Sequence, residues 1–204
     1  MTEKISERIP AGERREQILA SASLVFGERG YFGATTDQIA KAAGISQPYV
    51  VRMFGTKEKL FLEVLQRALD KLTEAFKSTI DDWKAAGSPD EVIARQLGTT
   101  YVNLIEDRGL LLSLMQAFSM GHDPVIGVQA RQGFMAVYTL LRDEAGFEPE
   151  RVRTFLAEGM LLNTLLGLRL PDQYGQDDDA TQLLECAFQT KMQLVLTVVG
   201  EKTA

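Results

Sequence analysis

The sequence predicts an all-α protein: an N-terminal three-helix head with a helix-turn-helix, joined to a larger helical body, about nine helices in all. Apolar residues recur every three or four positions along nearly the whole chain, and no stretch sustains the alternation of a half-buried strand. Cap residues, glycines and prolines cut that pattern into segments of helical length. Two of these segments are only about two turns long and are joined by Ala43-Gly44-Ile45-Ser46. Helices that short are unstable alone, so they must pack on each other.

Glu13 to Arg29 carries Ile18, Leu19, Ala22, Val25 and Phe26 on one stripe and stops at Gly30. Thr35 caps the second helix, Gln38 three residues later completes a capping box, and Gly44 ends it. Ser46 caps the third, where Pro48 in the first turn loses no hydrogen bond. Thr56 caps a long fourth helix whose apolar stripe runs from Leu60 through Leu72 and Phe76 to Trp83, with Gly87 as its stop. Ser88-Pro89-Asp90-Glu91 supplies a cap, a first-turn proline and an N3 glutamate for a fifth helix reaching about Asp107. Leu110 to Met120 is apolar nearly all round, the pattern of a buried sixth helix. Asp123-Pro124 opens a seventh over Val125 to Ala145, and Glu148-Pro149 an eighth over Glu150 to Leu170. After a polar loop from Pro171 to Asp179, a ninth spans Ala180 to Val199.

Composition narrows the function classes. The chain of 204 residues is 45% hydrophobic and 25% charged, and it has no apolar run long enough to cross a bilayer. Its opening, MTEKISERIPAGERRE, mixes both charge signs and lacks the apolar core of a secretory signal, so a cytoplasmic location without a membrane partner is expected. One cysteine, Cys186, and one histidine, His122, permit neither an internal disulfide nor a four-ligand zinc site, so no metal and no cofactor are expected. His122, between Gly121 and Asp123, reads as a solvated turn residue. No Glu-x-x-His pair and no nucleophile beside a base is present, so no catalytic residue is assigned and the chain is not expected to be an enzyme. The net charge of −6 divides unevenly, as +2 over residues 1–60 and −8 over residues 61–204. Screening limits electrostatic reach to about 10 Å, so the basic head can meet phosphates although the body is acidic.

The short pair carries the functional signal. Ala40 and Ala43 let two helices cross closely, Gly44 suits a left-handed turn, and Ile39, Ile45, Val50 and Phe54 can face inward. In that helix-turn-helix the second helix can project polar residues into a major groove about 12 Å wide. Between Arg15 and Leu65 the stretches "ILASASLVFGERGYFGATTDQIAKAAGIS" and "FGTKEKLFLEVL" resemble the DNA-binding region of tetracycline-repressor (TetR) type regulators. The resemblance implies a homodimer whose heads read a palindromic double-stranded DNA operator, with repression as the expected mode. It also implies a ligand pocket in the body that controls head spacing. The expected division is a helix-turn-helix DNA-binding domain over 1–60 and a helical effector-binding and dimerisation domain over 61–204.

The expected DNA-binding set is Thr36, Gln47, Pro48, Tyr49, Arg52 and Lys57. Thr36 and Lys57, at helix starts, suit phosphates. Gln47 and Arg52 suit adenine and guanine edges, and Tyr49 can reach a phosphate or a thymine methyl. The sequence departs from the family at helix three, where "YVVRMF" replaces a "TLYYHF"-like run. Val51 stands where a phosphate-contacting tyrosine is common, and Tyr49 is expected to substitute for it. The competing roles are packing of Tyr49 against helix one and an ion pair of Arg52 with Glu58 or Asp37; Asp37 itself would repel phosphates.

Helices eight and nine are more apolar than one core face needs, which makes Phe155, Met160, Leu184, Phe188 and Val195 candidates for an isologous four-helix dimer interface, with Gly159 and Gly167 allowing close approach. The competing reading is that these residues close the body's own core. Trp83, Tyr101, Met115, Phe118, Phe134, Tyr138 and Asn163 are the candidate pocket, which points to an apolar or aromatic effector. The alternatives to a regulator are a helical-bundle enzyme and a helical adaptor with no DNA role.

Overall fold

The computed structural model describes residues 10–107 and 109–200. Residues 1–9, part of the stretch read above as lacking a secretory signal, lie outside the described residues. Among the described residues the chain forms helices and no strand: α1 (Ala11–Gly33), α2 (Thr36–Ala42), α3 (Gln47–Phe54), α4 (Lys57–Ala86), α5 (Asp90–Asn103), α6 (Leu110–Ser119), α7 (Ile126–Asp143), α8 (Pro149–Gly167), α9 (Asp178–Phe188) and α10 (Met192–Gly200). The all-α class and the head-plus-body order are as expected.

Most helix ends are set by the residues that the sequence marks. In α1 the backbone leaves helical geometry at Gly30, where φ is +69°, and the buried stripe is Ile18, Leu19, Ala22, Val25 and Phe26. Thr35 and Gln38 close a reciprocal capping box on α2, with Gln38 N–H donating to Thr35 Oγ1 at 3.2 Å and Thr35 N–H to Gln38 Oε1 at 3.0 Å. Thr56 Oγ1 caps α4 by accepting from Lys59 N–H at 3.1 Å. Asp123 Oδ1 accepts from Val125 and Ile126 N–H ahead of α7, and Asp177 caps α9. Ser46 occupies the N-cap of α3, but its carbonyl rather than its hydroxyl does the bonding, accepting from Tyr49 N–H at 3.0 Å.

Two expectations are corrected. The fifth helix begins at Asp90 with Pro89 as its N-cap residue, and it ends at Asn103 in a 3-10 turn over Leu104–Glu106 rather than running to Asp107. The ninth helix is two helices, because Gln189 takes φ +48°. The bend lets Leu184 and Phe188 on one side of it and Met192 and Val195 on the other all be buried. Neither a glycine nor a proline marks the break.

The long helix α4 belongs to both units. Its N-terminal end holds α1 and α3, while its later turns pack on α5, α6 and α7. The second joint between head and body is α1 on α6. There Gly27 lies opposite Gly109, and the buried Ser113 Oγ donates to the Ser23 carbonyl at 3.1 Å. A charged latch closes the same seam. Arg67 on α4, only 10% exposed at its side chain, bonds Glu16 of α1 at 2.6 Å and Asp107, just past the 3-10 turn, at 2.7 Å, and Lys71 also pairs with Asp107.

Burial alone would raise the Asp107 carboxyl, but hydrogen bonds and charge from Arg67 and Lys71 outweigh it and hold the group below the usual carboxylate range. A group with a depressed folded pKa adds stability above its unfolded pKa, about 3.9, and loses that contribution as pH falls through the folded value. Asp107→Asn should therefore lower the urea midpoint at neutral pH, and the gap to the parent should close as pH falls below about 4. A gap that widened on acidification would contradict this role.

Candidate nucleic-acid interface and body cavity

The corner forms as the sequence implies. Ile39, Ala40, Val50 and Phe54 are buried, and Gly44 takes φ +65°. Ile45 N–H bonds the Ala40 carbonyl at 3.0 Å, closing the end of α2. Arg15 on α1 lies 4.7 Å from the Phe54 ring centroid and pairs with Glu63, so the back of α3 is clamped to α1 and α4. The front is left to solvent.

That front holds Gln47, Pro48, Val51 and Arg52, all exposed. Tyr49 is half-buried against the core, and the Arg52 guanidinium sits 4.9 Å above its ring. Tyr49 thus steadies Arg52 from below instead of standing clear of the helix. Asp37 pairs with Lys41 at 2.9 Å, which offsets the carboxylate facing the same side. Gln47 Nε2 donates to Thr36 Oγ1 at 3.1 Å and so joins the starts of α2 and α3. The Thr36 hydroxyl proton, the Gln47 carbonyl and one Gln47 N–H remain to meet another partner. Val51, left out of the sequence-based set, stands one turn from Gln47 on this front, and the i, i+4 spacing was the signal that could have found it. Its methyls are of the kind that touch thymine methyls.

Lys57 has a structural task that the sequence did not show. Its Nζ donates to the Tyr31 and Ala34 carbonyls at 3.0 and 3.1 Å and lies 4.6 Å from the Tyr31 ring centroid. It fastens the turn after α1 to the start of α4 and keeps one N–H for an outside acceptor.

In the body a small apolar cavity of about 50 Å³ lies among α4 to α8. Of the expected pocket residues, Tyr101, Phe118, Phe134 and Asn163 line it. The other three do not. Trp83 Nε1 donates to the Pro89 carbonyl at 3.2 Å and holds the α4–α5 turn. Tyr138 lies under Arg142, 5.5 Å from its guanidinium carbon, and Met115 is off the cavity wall.

The dimer candidates are also corrected. Leu184, Phe188 and Val195 are buried within the chain's own core, Phe155 packs on Phe76 and Phe147, and Met160 lines the cavity. Gly159 faces the ring of Tyr101 in the same chain, which lies at ordinary contact distance, 3.6 Å, from where a Cβ would stand. The large apolar residues that α8 and α9 leave exposed are Leu161 and Leu183, each 43% exposed. A helical stripe reveals its apolar side, not the partner that covers it.

The family profile described as "Bacterial regulatory proteins, tetR family" matches residues 18–64, which span the corner and the start of α4. The chain is 31% identical over 162 residues to the HTH-type transcriptional activator FasR of Mycolicibacterium smegmatis, covering 76% of this chain and 70% of that one. It is 33% identical over 69 residues to the HTH-type transcriptional regulator HbdR of an Aromatoleum strain, covering 34% and 30% of the two chains. Among solved structures, a TetR-like transcriptional regulator from Rhodococcus sp. RHA1 shares the fold with a TM-score of 0.58, at 22% identity over 89% of this chain and 97% of that one. The fatty acid degradation regulator FadR from Bacillus halodurans does so with a TM-score of 0.61, at 17% identity over 91% and 97%. With a corner clamped from behind, polar and apolar side chains presented in front, and a relative matched over most of both lengths, the chain belongs to the tetR family of bacterial regulatory proteins and is a DNA-binding transcriptional regulator.

Proposed function

We propose that this regulator acts as a homodimer on a palindromic operator and that an apolar effector in the body cavity sets the spacing of its two heads. The observation that carries the reading is the solvent-facing front of α3, with Gln47, Val51 and Arg52 held out by a back that is fully packed. In this reading residues 1–60 form the DNA-binding unit and residues 61–204 the effector-binding and dimerisation unit, with α4 passing between them. Gln47 and Arg52 contact base edges with Tyr49 supporting Arg52 from below, Val51 meets a thymine methyl, and Thr36 and Lys57 face the phosphates. Pro48 shapes the first turn against the groove. Occupying promoter DNA requires no further contact, so repression is the simplest mode; the chain works in the cytoplasm and performs no catalytic step.

Exposed Leu161 and Leu183 on α8 and α9 are the contacts of choice between two copies, because burying them against their symmetry mates would complete a four-helix bundle. The test is a double substitution, Leu161→Arg with Leu183→Arg. The expected products are monomers by size-exclusion chromatography with attached light scattering, an unchanged helical circular dichroism spectrum, and operator affinity lowered at least 100-fold as bivalency is lost. A variant that still dimerised would move the interface elsewhere, and a monomer that bound the operator as tightly as the parent would remove the need for a dimer.

A further inference from the structure

Ser23, Ser113 and Asn163 are the buried polar residues among those described, and the two serines bond each other. Asn163 differs. It sits on α8, 1% exposed, in the wall of the apolar cavity beside Phe118, Phe134 and Met160. The Tyr101 hydroxyl donates to its Oδ1 at 2.9 Å. Burial pushes Tyr101 up to about 12, so the phenol keeps its proton and needs an acceptor. Turning the amide over would leave that O–H facing an NH2 group, so the oxygen belongs toward Tyr101 and the nitrogen away from it.

The Asn163 nitrogen carries two N–H groups and donates to no described residue. Among the described residues no fully sealed side-chain nitrogen or oxygen lacks a partner, so this nitrogen is not wholly sealed, and Asn163 is a lining residue of the cavity. A buried donor without an acceptor is costly, and a ligand oxygen placed there would remove the cost. Among the described residues no charged side chain lines the cavity, which disfavours an ionised ligand in it. The cavity is smaller than the few hundred Å³ usual for a ligand site. Tyr101, Phe155 and Gly159 also wall an outer groove of about 490 Å³ between α5, α8 and α9, so movement of the Tyr101 and Phe155 side chains would admit a molecule.

We propose that Asn163 is the polar anchor of the effector site and selects a neutral, largely apolar compound bearing a carbonyl oxygen, which accepts from its side-chain N–H while ring walls enclose the rest. This rests on the effector reading above. It can be tested apart from that reading with two probes of nearly equal shape, acetophenone and ethylbenzene, titrated into the full-length protein and followed by NMR. The parent should bind acetophenone about five-fold more tightly than ethylbenzene, and Asn163→Leu made together with Tyr101→Phe, so that no orphaned phenol takes over as donor, should bind the two alike. Should the double variant fail to fold, the side-chain N–H resonances of Asn163 in the parent serve instead, moving downfield with acetophenone and not with ethylbenzene. Equal binding of both probes by the parent, a preference kept in the double variant, or an unmoved amide resonance would overturn the anchor and leave the cavity as the effector site. Binding of neither probe would overturn both.

Discussion

Gly109→Ala should lower the melting temperature by roughly 10 °C. Gly109 takes φ +83° at the start of α6, a conformation that costs a non-glycine residue about 1 kcal/mol or more. An added Cβ would also stand 2.6 Å from the Ser23 carbonyl carbon and 2.7 Å from Leu24 Cα. Both are main-chain atoms of α1, which cannot turn aside as a side chain can, so α1 and α6 must separate at their joint. Overpacking of this kind costs about 1–3 kcal/mol, for a total of about 4 kcal/mol with the strain. In a chain of 204 residues each kcal/mol is worth about 2–4 °C. Two other glycines serve as controls. At Gly133 the nearest atoms to an added Cβ are those of the Leu69 side chain, which can shift, and Gly44→Ala carries a positive φ but meets no described atom within 4 Å, so each should cost clearly less. Thermal scans by circular dichroism check the order, and equal shifts at Gly44 and Gly109 would show that backbone contact at the joint contributes nothing.

Arg52→Ala should reduce operator affinity about 100-fold. One bidentate contact from arginine to guanine is worth about 1–3 kcal/mol, and a dimer makes it twice. The same substitution should barely change the stability of the head, because Arg52 is exposed and its stacking on Tyr49 contributes at most about 1 kcal/mol. Binding to unrelated DNA should fall much less, since that depends on the count of phosphate contacts. Fluorescence anisotropy with operator and scrambled duplexes separates the two effects. Equal losses on both would make Arg52 a phosphate contact rather than a reader of bases.

The head was legible because its signals are local. Thr35 with Gln38, Gly44 and Thr56 act within one turn of their own position, so the caps and the corner could be placed by spacing alone. The buried face of α3 followed from the same periodicity, and Val51 was the omission on its front. The body was harder because its questions concern what meets across helices. Periodicity identified Leu184, Phe188 and Val195 as apolar but could not say that the chain's own core covers them. The break at Gln189 is imposed by packing on both sides of it, with no local residue to announce it. Tyr101, Phe118, Phe134 and Asn163 converge on one cavity, whereas Trp83, Met115 and Tyr138, of similar chemistry and spacing, do not. Lys57 shows a further limit: the turn that it fastens lies more than twenty residues earlier, so its neighbours in sequence give no hint of the contact.

The front of α3 as a reader of base edges is tested most directly by a hydroxyl-radical footprint on an operator recovered from genomic fragments, taken with parent and Arg52→Ala protein at low and moderate salt. The expected result is two protected patches related by a dyad and centred about one helical turn, roughly 34–36 Å, apart, fading steeply as salt rises. With Arg52→Ala the patches should weaken on the operator without changing their spacing. A single patch without symmetry, or protection indifferent to both the substitution and the salt, would contradict DNA reading by this surface.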